Sequence, residues 1–118
     1  MERLFDSEAK VMNIIWSNSP ISAKDISLIA AEKIGWNKNT TYTVIKKCIA
    51  KGAIERKEPN FMCHALIAKE VVQEAEAEEL IDKLFDGSTD KLFAALLSRQ
   101  KLSVKEIENL RRIVAELE

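Results

Sequence analysis

Residues 36–57 read WNKNTTYTVIKKCIAKGAIERK, and two interleaved patterns run through them. Thr41, Val44, Ile45, Cys48 and Ile49 recur at three- and four-residue spacing, which puts them on one face of a helix. Asn37 stands where an N-cap would satisfy free amides, and Gly52 where a left-handed residue ends a helix at least cost. The other face carries Asn39, Thr40, Tyr42, Thr43, Lys46, Lys47 and Ala50. These are neither the best helix formers nor the Glu/Lys mix of a solubilising surface. Hydroxyls and amides can pair with several base edges, a threonine methyl can meet a thymine methyl, and lysine can reach guanine or phosphate. A protein contact or a plain solvated face would fit the same pattern, so the residues alone leave these readings open.

Upstream, DSEAKVMNIIWSN predicts a helix over residues 7–18 with Ala9, Met12, Ile15 and Trp16 on its apolar face and Asp6 or Ser7 as its cap. Asn18-Ser19-Pro20 ends it, because proline disfavours helical backbone in the residue before it. SAKDISLIAAEKI predicts a second helix, opened by Ser22 with Asp25 three residues on and closed by Gly35. Downstream, AIERK and FMCHALI flank Glu58-Pro59-Asn60 and predict two short strands around a turn. A lone hairpin is marginal in water, so it has to rest on the helices. Three helices followed by a hairpin is the order of a winged helix-turn-helix. In that fold the third helix enters the major groove and the wing holds phosphates.

Residues 69–118 differ in kind. KEVVQEAEAEELIDKLF predicts an acidic helix, a short helix follows over 90–99, and Ser103 opens a last one with Glu106 completing a capping box. Leu80, Leu84, Leu92, Phe93, Leu96, Leu97, Ile107, Leu110, Val114 and Leu117 are the apolar residues expected to form a helix–helix seam. Some fifty residues offer little room for a self-sufficient core, so a second copy of the chain is expected to supply the rest, with folding back on the first half as the alternative. The expected organisation is therefore mainly α: a winged helix over 1–68, with a two-stranded wing, and a three-helix dimerisation region over 69–118.

Charge follows the same division. The whole chain carries a formal −1, but residues 1–68 stand at +3 and residues 69–118 at −4. Within 33–57, seven Lys and Arg face a single acid, Glu55, a local +6 suited to phosphate contact. Lys47, Arg56 and Lys57 are phosphate candidates by charge and placement. Cys48 and Cys63 form no CxxC pair, and the N-terminus has no secretory pattern, which predicts free thiols in the cytoplasm. No apolar run approaches the roughly 20 residues of a bilayer span, and no direct membrane binding is expected. One histidine, three glycines and no nucleophile beside a base argue against an enzyme. Cys63-His64 makes no metal site, since adjacent strand residues point to opposite faces, and no cofactor is expected.

VMNIIW at 11–16, SAKDI at 22–26, the spaced W, T, Y, T and K at 36–46, KKCIAKG at 46–52 and LSVKEIENLRRI at 102–113 together resemble the penicillinase-repressor family (the BlaI, MecI and CopY type). The resemblance covers most of the chain. It implies a homodimeric bacterial repressor whose winged helix binds a palindromic operator on double-stranded DNA, controlling a resistance or homeostasis operon. By position, Asn39, Thr40, Tyr42, Thr43 and Lys46 would be its recognition-helix residues. Without the resemblance, a winged-helix protein-interaction module is the competing function. In the resistance repressors a membrane-linked sensor protease acts upstream by cutting an Asn-Phe bond, but this chain has Ala95-Leu96 there. Copper-responsive relatives end in a cysteine cluster, and this chain has no cysteine after Cys63.

Overall fold

A computed structural model describes residues 3–99 and 101–117, in two compact units, one ending at Gln73 and one beginning at Glu74. The elements run α1 (Asp6–Asn18), β1 (Ile21–Ser22), α2 (Ala23–Lys33), α3 (Lys38–Ala50), β2 (Ile54–Lys57), β3 (Met62–Ala65), α4 (Lys69–Leu84), α5 (Thr89–Ser98) and α6 (Val104–Leu117). The fold is mainly helical with one small antiparallel sheet, as the element order predicts. That sheet has three strands rather than two, in the order β1-β3-β2. Ile21 pairs with Cys63 and Ser22 with Met62, so β1 carries the hairpin on the helices. The Ala23 N–H donates to Phe61 O at 2.9 Å and extends the attachment by one bond.

The first unit has a single core. Val11, Met12 and Ile15 of α1, Ile26 and Ala30 of α2, Val44, Ile45 and Cys48 of α3, and Ile54 and Cys63 of the sheet are all buried in it. On α1 the buried face is rotated from the expected one, since Val11 and Ile14 are buried while Ala9 is half-buried. Trp16 packs at the core's edge, and its indole N–H donates to Ile67 O at 3.0 Å, tying the end of α1 to the segment that leads into α4. Trp36 packs against the same core ahead of α3. Gly35 and Gly52 end α2 and α3 at φ 83° and 80°, the left-handed backbone expected of them.

The start of α1 departs from expectation. Neither Asp6 nor Ser7 caps it; both lie in or at the first turn, and the N-cap is Phe5. The Phe5 N–H donates to Glu8 Oε1 at 2.7 Å, so half of a capping box is made by a residue with no side-chain acceptor of its own. At the other end of the chain the capping box of α6 is complete, with Ser103 and Glu106 exchanging bonds of 3.1 Å each.

In the second unit, among the described residues, none is buried. Phe93, Leu97, Leu102, Ile107, Leu110 and Val114 line an apolar groove of about 380 Å³ along α5 and α6. No helix among the described residues is long and apolar enough to cross a membrane.

Candidate nucleic-acid interface

The local sequence builds α3 as an amphipathic rod whose start is fixed. Asn37 Oδ1 accepts the Thr40 N–H at 2.8 Å, which satisfies an otherwise free amide at the first turn. Thr41, Val44, Ile45 and Cys48 are buried, and Ile49 is half-buried beside them. This leaves Asn39, Thr40, Thr43, Lys46 and Lys47 exposed together on the opposite side. Thr43 Oγ1 donates to Asn39 O at 2.9 Å, so its proton is directed back to the helix while its oxygen can still accept.

Tyr42 stands apart from that set. It is half-buried, packs against the core, and meets the Phe61 ring edge-on at 5.8 Å. Lys38 Nζ lies 5.6 Å from the centre of the Tyr42 ring. The phenol therefore joins α3 to the turn of the wing as well as bordering the outer face.

The cations of 33–57 are not equivalent. Lys51 is engaged inside the protein: its Nζ donates to Glu8 Oε1 at 2.6 Å and to Arg3 O at 2.7 Å, and sits 3.9 Å from the centre of the Phe5 ring. Glu8 is 1% exposed. Burial pushes its carboxyl up, but the Lys51 bond, the Phe5 amide and the charges of Lys51 and Lys47 outweigh that and hold it below the usual glutamate value. The count of +6 therefore overstates what faces solvent, because Lys51 answers a buried acid that helical patterning assigns to no role. In the wing, Arg56 Nε donates to Glu58 Oε1 at 2.6 Å, and Lys57 Nζ is 3.9 Å from Glu55. Both predicted phosphate contacts are thus exposed yet already have an acidic neighbour.

Cys48 and Cys63 are free and fully buried, one on α3 and one on β3. Burial, and for Cys48 the Glu8 charge, push the thiols up to about 12 and about 11. His64 is half-buried on β3. Among the described residues no group of three potential ligands could hold a metal.

Of the expected seam residues in the second unit, Phe93, Leu97, Ile107, Leu110 and Val114 come together around the groove. Leu92 and Leu96 are half-buried on α5, while Leu80 and Leu84 are exposed on α4. The side chain of Leu117 lies outside the described residues. Leu102, in the turn before α6, also lines the groove, and its place outside any helical repeat is why periodicity passes over it.

Three helices around one core, a capped third helix with a polar outer face, and a wing hung on β1 define a winged helix-turn-helix regulator. The chain belongs to the penicillinase repressor family, whose model matches residues 4–116. That family consists of transcriptional repressors, not enzymes. The methicillin resistance regulatory protein MecI of Staphylococcus aureus (strain N315) is 31% identical over 110 residues, covering 92% of this chain and 89% of the relative. The penicillinase repressor of Bacillus licheniformis is 23% identical over 116 residues, covering 97% and 91%. A solved MarR family regulator from Neisseria meningitidis aligns over 98% of this chain and 82% of its own at a TM-score of 0.43 and 19% identity.

Proposed function

We propose that this repressor binds a palindromic operator as a homodimer, each copy laying α3 in a major groove. Asn39, Thr40, Tyr42, Thr43 and Lys46 read or border base edges, Lys47 reaches phosphate, and the wing adds Arg56 and Lys57. The observation that carries the reading is the outer face of α3, where the exposed Asn39, Thr40 and Thr43 and two lysines stand clear of the packed inner face, with Tyr42 half-buried at its border. Homodimerisation through the helical unit is supported by the apolar groove of α5 and α6, in whose lining Leu97 and Val114 are exposed. Two recognition helices at fixed spacing then bind a two-fold site far more tightly than one.

Ala95 and Leu96 lie within α5, so a sensor protease acting upstream at that pair would need α5 locally unwound. The test of operator binding is a titration of the full chain against duplexes from the DNA upstream of its own gene, over a salt series. Specific binding with a steep salt slope is expected, and replacing Lys46 and Lys47 by alanine reduces that slope by about 2. Absence of binding at low salt overturns the reading.

A further inference from the structure

At the tip of the wing one carboxylate serves two groups. The chain turns through Glu58-Pro59-Asn60-Phe61, and Asn60 and Phe61 both take left-handed backbone, at φ 74° and 50°. Such backbone is costly for a bulky residue. Glu58 Oε2 accepts the Phe61 N–H at 3.2 Å and so holds the turn. Its second oxygen accepts Arg56 Nε at 2.6 Å. The Arg56 guanidinium also lies 3.6 Å from the centre of the Phe61 ring, which in turn rests on Tyr42 of α3.

We propose that Glu58 stands in for a DNA phosphate: it occupies Arg56 in the free repressor and must release it when the wing meets the backbone, which lowers affinity for DNA. The inference rests on the operator-binding reading above. A carboxylate and a phosphate each present anionic oxygens that accept charge-assisted hydrogen bonds from the planar guanidinium fork, so the two compete for one arginine. The Arg56 and Glu58 side chains are 45% and 59% exposed, so an incoming phosphate has access. A pair in water is weak enough to exchange. The Arg56 bond, then the Phe61 amide, hold the Glu58 carboxyl below the usual glutamate value, so it is ionised at neutral pH. Glu55 and Lys57 balance in the same way, leaving residues 55–58 with no net charge in a segment expected to grip a polyanion.

Glu58→Gln separates the two jobs. Its amide oxygen can still accept the Phe61 N–H, while the charge that holds Arg56 is gone. In the full chain, this variant is expected to raise affinity roughly three- to tenfold for a labelled duplex from upstream of the gene and for a random duplex of equal length, since phosphate contact ignores sequence. In an Arg56→Ala background the same change is expected to alter affinity by less than about twofold. No rise in the parent, or an equal rise in both backgrounds, overturns the proposal; the latter would mean that Glu58 acts only through its long-range field. As a second measurement, the Arg56 Nε–H resonance of the unaltered protein should shift on saturation with DNA toward a new acceptor, and an unchanged signal also overturns it. Unaltered protein that binds neither duplex at low salt sinks operator binding itself, whereas normal binding with a flat Glu58→Gln response sinks only the role of Glu58.

Discussion

Replacing Lys51 by methionine keeps most of the stem that crosses Phe5 and removes only the ammonium that answers Glu8. In the folded protein Glu8 is 1% exposed and the Lys51 side chain 11%, so the pair is shielded from water on nearly all sides. Breaking such a pair from one side costs about 3–5 kcal/mol, because the remaining charge is buried without a partner. Glu8 keeps the Phe5 amide, which places the expected loss near the lower end, at about 3 kcal/mol. Domains of 60–100 residues lose about 4–8 °C of Tm per kcal/mol, so a fall of about 12–24 °C is expected. Thermal unfolding at fixed protein concentration, followed by the fluorescence of Trp16 and Trp36, reads the loss directly. Changing Glu8 to methionine in the same chain should recover most of it, since an apolar pair carries no desolvation cost. A loss below about 0.5 kcal/mol, the size of an ordinary surface substitution, would refute the account. The pair also sets an acid limit: Glu8 titrates below its ordinary value when folded, so its contribution is full above the unfolded glutamate pKa. It disappears as pH falls through the folded value, and Glu8→Gln should flatten that limb of the stability curve.

Two further outcomes follow from the packing. Because Cys48 and Cys63 are buried with thiols pushed up to about 12 and about 11, labelling by a thiol reagent at neutral pH should follow unfolding, and rapid labelling of native protein would contradict their place in the core. A chain cut after Gln73 keeps Ile67 and Val72 on the first core; it is expected to fold, sediment as a monomer and bind operator roughly 10²–10⁴-fold more weakly, whereas equal binding would remove the proposed role of the helical unit.

What could be read in advance depended on how far apart the causes lie. Asn37, the Thr41-to-Ile49 spacing and Gly52 all act within one helix, so the limits of α3 and its outer face were legible from local sequence. The same holds for Ser103 and Glu106, three residues apart. β1 was not legible, because two residues have no period and Ile21 is a strand residue only through Cys63. Nor was Glu8: patterning sends a charged residue to solvent, and its partner lies 43 positions away. Phe61 reads as the first residue of a strand but belongs to the turn, where a bond to Glu58 holds it in left-handed backbone. On the candidate interface, the outward residues of α3 could be named from spacing, while the acidic neighbours of Arg56 and Lys57 required the folded hairpin.

The sheet order leaves β1 and β2 at the edges, and both are poor templates for a foreign strand. β1 has only two residues, and three of the four in β2 are the charged Glu55, Arg56 and Lys57. An incoming backbone would find few amides to pair with on one side and would have to thread a row of ions on the other. Copies of this chain are thereby discouraged from stacking into open-ended ribbons, even at high local concentration. Association is left to surfaces that can close on themselves.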